Sequence, residues 1–216
     1  MRMRRKPWAE DEIKANPHLV VPDPFQWKGK WHLFFKRDNP IHVEIGTGKG
    51  QFIITMARNH PHINFIGLER NISALGVAVR KLKGVQEETA IDNCCLIAEN
   101  ATQLAAIFAP QEVEKIYLNF SDPWPKRRHA KRRLTHPIFL ELYRTVLKPG
   151  GEIQLKTDNE AFFEFSLNTL ADGGFRLKNI TFNLHERDDL PQVMTEYEEK
   201  FVSQGKKIYY CEAIMP

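Results

Sequence analysis

The chain has 216 residues, 42% hydrophobic and 27% charged, an ordinary globular balance at a length that suits one α/β domain with extensions. No apolar run approaches the ~20 residues of a membrane helix, and the basic N-terminus lacks the apolar stretch of a secretory signal. Cys94, Cys95 and Cys211 give neither a disulfide framework nor metal-ligand spacing, so no metal and a reducing, cytoplasmic setting are expected.

Residues 1–37 show no clean period. Pro7, Pro17, Pro22 and Pro24 and three tryptophans, Trp8, Trp27 and Trp31, are mixed with basic residues. This predicts an N-terminal arm with a short helix near 29–35, ahead of a main domain at 38–216. Packing is the first expectation for each tryptophan. From Ile41 onward, short apolar runs alternate with helical patterns. Strands are predicted at 41–45, 64–68, 94–98, 115–119 and 152–156. Between them lie a helix at 51–59 stopped by Pro61, and one that buries Leu75, Ala78, Val79 and Leu82 and stops at Gly84. A further helix runs through Leu104, Ile107 and Phe108. Another, capped by Thr135, has Ile138, Phe139, Leu142, Tyr143, Val146 and Leu147 as its apolar face and is ended by Lys148-Pro149-Gly150-Gly151. A last helix at 162–170 precedes two final strands, 176–184 and 206–214. Strand–helix alternation with short loops predicts an α/β fold, a mostly parallel sheet with helices on both faces. The tail is too short for another crossover at every step, so one late strand should be antiparallel.

Charge is distributed unevenly. The net charge is +4, yet Lys126, Arg127, Arg128, Lys131, Arg132 and Arg133 fall within eight residues, and Arg2, Arg4, Arg5 and Lys6 within five. The remaining body has 21 basic against 27 acidic side chains, a net of −6. A polyanion bound at a defined place is implied.

The first strand runs into Glu44-Ile45-Gly46-Thr47-Gly48-Lys49-Gly50. Glycines between a strand and a helix let backbone approach a ligand closely. The spacing is Gly-x-Gly-x-Gly, not the Gly-x-Gly-x-x-Gly of dinucleotide sites, and no Gly-Lys-Ser/Thr is present. Glu44 ahead of the glycines suits a cationic moiety better than a phosphate. Glu69, ending the second strand, can accept from ribose hydroxyls. A nucleoside with a positive tail fits better than a dinucleotide. The fourth strand ends in Asn119-Phe120-Ser121-Asp122-Pro123-Trp124-Pro125, a stiff loop running straight into the basic segment. Asp158 or Asn159 can cap the following helix, and Thr195-x-x-Glu198 has the form of a capping box.

These stretches carry a resemblance. Residues 41–70 look like the S-adenosylmethionine site of Rossmann-like class I methyltransferases. The resemblance implies that Glu44, Gly46 and Gly48 hold the methionine end, Glu69 the ribose and Asn100 the adenine. That family usually has Asp where Asn100 stands, so the amide oxygen is left to accept from the adenine amino group. The run from Asn119 through Arg133, together with Lys156-Thr157-Asp158-Asn159 and Thr195–Phe201 (195–201), closely resembles the tRNA (guanine-N7)-methyltransferase family. By that resemblance Asp122 is the catalytic and cofactor-adjacent carboxylate, and Lys126, Asp158, Thr195, Glu196, Tyr197 and Glu198 bind the guanine. Arg128, His129, Lys131, Arg132 and Arg133 meet the RNA. The expected product is 7-methylguanosine in the variable loop, commonly at nucleotide 46, made by a self-sufficient monomer or homodimer. An amino-group methyltransferase acting on a small molecule or protein, and a non-catalytic RNA-binding module, stay open at this point. A dehydrogenase is the weakest reading, because the glycine spacing is wrong.

Overall fold

The structure is a computed structural model that describes residues 4–89, 91–190 and 193–216. Arg2 of the basic arm lies outside the described residues. The chain divides into two compact units, one reaching to Phe108 and the other Ala109–Pro216.

In the first unit β1 (Ile41–Ile45), β2 (Asn64–Leu68) and β3 (Cys94–Ile97) pair in parallel, in the order β3-β2-β1. Every residue of the three strands is buried, His42 and Glu44 of β1 and Asn64 of β2 included, as expected of parallel strands covered on both faces. Two helices follow the first two strands, α3 (Gln51–Asn59) and α4 (Ile72–Glu88). Helix α4 buries the four apolar positions expected of it but does not stop at Gly84. One exposed-face glycine costs only about 1 kcal/mol, less than a helix gains from an anchored apolar face. The Asn71 side chain caps the start, accepting from the N–H groups of Ser73 and Ala74 at 3.0 and 3.2 Å. Beyond β3, a 3₁₀ turn (Ala101–Gln103) leads into α5 (Leu104–Ile107).

The N-terminal segment holds more regular structure than its sequence suggests. Before α2 (Trp31–Phe35) stands an unpredicted helix, α1 (Ala9–Ala15). Only Ala9 of α1 is buried, so it offers almost no apolar period to read. It is held from outside. A Cβ placed on Gly76 of α4 would stand 2.5 Å from the Ala9 Cβ, so glycine is what lets these helices touch. The Arg80 guanidinium lies 3.5 Å over the Trp8 ring and its Nε bonds Glu12 at 2.6 Å. The chain then runs along the edge of β3, with Val21 N–H donating to Leu96 O at 2.9 Å and Leu96 N–H to Leu19 O at 2.8 Å. That covers an open sheet edge. Trp31 is fully buried, its Nε1 donating to Ile107 O at 3.2 Å, and Trp27 packs edge-on against Phe34.

In the second unit β4 (Val113–Asn119) pairs in parallel with β5 (Leu147–Thr157). Strand β7 (Tyr209–Ile214) is antiparallel both to β5 and to β6 (Arg176–Thr181), giving the order β4-β5-β7-β6. It is the one late antiparallel strand that tail length required. The Lys148–Gly151 turn (148–151) belongs to β5 as an irregularity, the register passing from Val113↔Leu147 to Lys115↔Glu152. Helix α6 (Pro137–Val146) is capped by His136, not Thr135: the His136 Nδ1 accepts from Ile138 N–H at 3.3 Å. The Thr135 hydroxyl is buried against Ser166 Oγ at 2.8 Å, joining α6 to α7 (Glu160–Asp172). The last helix is α8 (Glu196–Val202). No helix among the described residues is long and apolar enough to cross a membrane.

Burial pushes the thiols of Cys94, Cys95 and Cys211 up, Cys211 to about 12, with the charges of Glu44 and Glu212 adding to it at Cys94 and Cys211. They are core side chains, not nucleophiles.

The α1–α4 contact makes a prediction. Gly76→Val should cost about 1–3 kcal/mol by overpacking, read as a lower urea midpoint. An unchanged midpoint would mean that α1 does not rest on α4.

Candidate active site

In the first unit, the carboxyl ends of three parallel strands carry the residues expected to hold a nucleoside. Glu44 is buried at the end of β1, where the Thr47 hydroxyl donates to its Oε2. The glycine loop is pinned to β2, with Gly46 and Thr47 N–H donating to Leu68 O at 2.8 and 3.0 Å. Glu69 completes the clamp: Oε2 accepts from Gly48 N–H at 2.9 Å and Oε1 from Asn71 N–H at 2.7 Å. Both oxygens of a carboxylate keep a further lone pair after one such bond, so the group stays competent to accept from a pair of hydroxyls and is already oriented. Gly46 lies in the left-handed region (φ +79°), and a Cβ there would meet no described atom within 4 Å. The space above the loop is open. Two fixed carboxylates beside an open glycine backbone fit a cationic nucleoside such as S-adenosylmethionine.

Asn100 has a partner within its own turn. Its Oδ1 accepts from both the N–H (2.8 Å) and the hydroxyl of Thr102, capping the 3₁₀ turn. The oxygen expected to meet an adenine amino group is therefore engaged, and the side chain's remaining capacity is its NH₂, a donor. The acceptor sites on the adenine ring are what that group can meet.

In the second unit, β4 delivers the stiff loop. Phe120 and Trp124 both have positive φ, +50° and +42°, conformations that cost about 1–3 kcal/mol each and persist only where the surroundings hold them. Phe120 N–H donates to Lys156 O at 2.9 Å, and its ring packs on Tyr197 (5.1 Å between centroids). Trp124 takes His129 edge-on at 5.7 Å and the Arg132 guanidinium over its face at 4.9 Å. Asp122 is exposed and Asp158 half-buried. Their charges, after burial as the larger cause, raise the Tyr197 phenol pKa. Tyr197 thus lies within electrostatic reach of both carboxylates. The result is an aromatic platform of Phe120, Tyr197 and Phe201 bordered by two acids and a protonated hydroxyl.

What anchors Tyr197 is a buried ion pair. Lys156 and Glu198 are both 0% exposed. The Lys156 Nζ lies 3.2 and 3.1 Å from the two Glu198 oxygens and donates to Val193 O at 2.9 Å. His185 Nε2 stands 3.2 Å from Glu198 Oε1. Glu198 also closes the capping box of α8, Thr195 N–H donating to its Oε2 at 3.4 Å and its own N–H donating to Thr195 Oγ1 at 2.9 Å. Of the residues expected to bind the substrate, Glu198 is the one whose side chain has no exposed surface and is held by these partners. Thr195 caps, Glu196 is half-buried, and Tyr197, 46% exposed, is the member of this turn that most faces outward. At β5, Asn159 caps α7 by accepting from Phe162 N–H at 2.8 Å, which leaves Asp158 outside that role.

The basic segment forms a 3₁₀ helix (Arg127–Arg132) with none of its residues buried. Lys126, Arg127, Arg128, Lys131 and Arg132 are exposed. His129 is half-buried against Trp124. Arg133 differs, for it turns back to its own loop: Nε donates to Pro123 O at 3.0 Å and a terminal nitrogen to Trp124 O at 3.1 Å. Sequence reasoning placed Lys156 within a motif but gave it no role of its own; its place as the last residue of the predicted strand 152–156 was the available signal.

The ion pair makes a second prediction. Lys156→Met alone should cost about 3–5 kcal/mol, because it strands a buried carboxylate, and Lys156→Met with Glu198→Leu should recover much of the loss. Denaturant unfolding of the three chains checks it; a single variant as stable as the parent would contradict the pairing.

Comparison with known proteins agrees with this geometry. The methyltransferase family model Methyltransf_4 matches residues 38–211. A tRNA (guanine-N(7)-)-methyltransferase of Geobacillus thermodenitrificans is 52% identical over 216 residues, covering 100% of this chain and 98% of its own. One of Bacillus licheniformis is 50% identical over 213 residues, covering 99% and 98%. Among solved structures, the 16S rRNA methyltransferase KamB superposes with a TM-score of 0.66 at 13% identity, covering 87% of this chain and 94% of that one. The 16S rRNA (adenine(1408)-N(1))-methyltransferase of Catenulisporales acidiphilia gives 0.62 at 16%, covering 91% and 95%. At such identities the structures speak for the fold alone, the Rossmann-like class I methyltransferase fold. The full-length likeness to sequences about half identical settles the rest: the chain belongs to the tRNA (guanine-N7)-methyltransferase family.

Proposed function

We propose that the chain transfers the methyl group of S-adenosylmethionine to N7 of a guanine in tRNA, with nucleotide 46 of the variable loop as the expected target. The observation that carries this reading is the strained loop that bears Asp122, packed through Phe120 on Tyr197 and running straight into five exposed cations. The names of the relatives support it. The reaction is assigned to residues 38–216, with 1–37 as an N-terminal arm. The working form is a cytoplasmic monomer or homodimer that needs no other protein.

The residues divide the work. Glu44 faces the ammonium of the donor, Glu69 its ribose, and the Gly46–Gly48 backbone (46–48) lies along its methionine end. When bound, S-adenosylmethionine supplies an electrophilic methyl on a sulfonium. Guanine offers donors at N1 and N2, which carboxylates accept, and Asp158 and Asp122 are the acids in place. Held by that edge, the base leaves N7 free. N7 has a lone pair and no proton, so no general base is required: the N7–carbon bond forms in line as the carbon–sulfur bond breaks and its electron pair returns to sulfur. The positive charge passes from sulfur to the purine ring. The protein's contribution is orientation and a negative charge, on Asp122, where the cation develops. His129 has no proton to remove and serves the RNA-facing segment.

Unmodified tRNA and labelled donor should yield labelled 7-methylguanosine on digestion. Label in another nucleoside would overturn the N7 assignment, and no transfer by protein that binds both partners would favour a non-catalytic RNA-binding role. Asp122→Asn should lower kcat about 100-fold, the order seen when one charge-stabilising group is lost; full activity would remove its electrostatic role. Plotting log K for tRNA against log salt should give a slope of about −3 to −5 for four to six neutralised phosphates. A flat plot would exclude phosphate docking.

A further inference from the structure

The six cations of residues 126–133 form one run in sequence, yet they do two different things in space. Five are exposed and project from the 3₁₀ segment or its start. Arg133 is half-buried. Two edges of its guanidinium grip consecutive carbonyls, Pro123 O at 3.0 Å and Trp124 O at 3.1 Å. The cation lies 4.4 Å from the centre of the Phe165 ring on α7. Its backbone N–H closes the 3₁₀ segment on Ala130 O at 3.0 Å.

Each contact falls where the loop needs support. Pro123 and Trp124 directly follow Asp122, and Trp124 sits at φ +42°, a conformation an L-residue does not keep unaided. Neither Pro123 O nor Trp124 O belongs to a strand or helix, so the loop has no ladder to hold it. Arginine suits the task for a physical reason. Its planar fork meets two acceptors in a fixed geometry while its flat face stacks on an aromatic ring, whereas a lysine offers a flexible point charge without the pre-organised fork or the stacking face.

We propose that Arg133 is a positioning residue for methyl transfer, fixing the loop that carries Asp122, and not one of the phosphate contacts. The inference rests on the reading of the chain as a tRNA methyltransferase. It divides the basic segment by function: the exposed cations hold RNA, and the last one holds the catalytic loop. Because Arg133 terminates the same 3₁₀ segment that bears the exposed cations, RNA docked on that segment is referenced directly to the position of Asp122. A displacement of about 1 Å at a reacting group costs on the order of 100-fold in rate, so the brace acts on kcat.

The full chain tests this with Arg133→Lys, Arg133→Gln and Phe165→Leu, measuring kcat and KM for tRNA across a salt series. Thermal melting accompanies each variant. Arg133→Lys keeps the charge but loses the fork, and kcat should fall roughly 10- to 100-fold with KM near the parent value. Arg133→Gln should lower kcat likewise and leave the salt slope unchanged. Phe165→Leu carries no charge change and should also lower kcat at an unchanged slope, which a phosphate-contact role for Arg133 does not predict. Arg128→Ala gives the contrast: KM rises and the slope becomes shallower by about 0.9. The proposal is overturned if Arg133→Lys retains the parent kcat, or if Arg133→Gln makes the slope shallower by about 0.9 and spares kcat. If Arg133 variants fail to melt cooperatively, Phe165→Leu decides, and its parent-like kcat would overturn the brace. Failure of the underlying function would show in the parent chain as absence of 7-methylguanosine, whereas failure of this inference shows only in the variants.

Discussion

The second unit depends on two charges taken wholly out of water. Lys156 stands near the carboxyl end of β5, paired in register with Asn119 on β4 and Tyr210 on β7, and its ammonium reaches Glu198 at the start of α8. Such a pair is not a strong source of stability, since desolvation cancels much of the attraction. It is a source of definition. A carboxylate and an ammonium buried together tolerate one arrangement, because any other leaves a charge unpaired in a poor dielectric. The segment leading to α8 would otherwise be held by a small apolar cluster of Leu184, Leu190, Ile208 and Tyr210. The ion pair turns that packing into a fixed placement, and Tyr197 with its neighbouring acids follows from it.

The first unit solves the matching problem with backbone. Glu69 is oriented by two N–H donors and in turn holds the glycine loop, while Glu44 is buried beneath it with a threonine hydroxyl. Neither carboxylate has to find its position when a ligand arrives, so little ordering entropy is left to oppose binding. Parallel strands make this economical, because neighbouring parallel strands end on the same side and their loops gather there.

Charge is arranged with the same separation of roles. The body of the protein is net acidic, and ten of its 31 lysines and arginines fall in two short segments. Five cations of the basic run are exposed, while Arg133, the last of that run, makes its own contacts with the loop. The strain at Phe120 and Trp124 marks the same loop, held by a strand carbonyl on one side and by this guanidinium on the other.

The sequence by itself determined the strands and most helices. β1, α3 and β2 lie where the short apolar-rich stretches, the helical period and the stop at Pro61 put them, because these signals are local to each element. The Gly-x-Gly-x-Gly turn, Glu69 and the long run from Asn119 to Arg133 were legible for a similar reason: their chemistry is local. Only the tertiary structure decided the rest. Helix α1 is almost without an apolar face and exists through Gly76 and Arg80, which are about seventy residues away in sequence. Thr135 has the right chemistry for a cap but spends its hydroxyl on Ser166, and Asn100 spends its oxygen on Thr102. Glu198 and Arg133 stand in linear runs of polar residues, and only the fold shows that one is buried against Lys156 and the other bonded to the carbonyls of Pro123 and Trp124. A hydrogen-bonding group has few valences, and which partner fills them is settled by proximity in three dimensions, which no local pattern encodes.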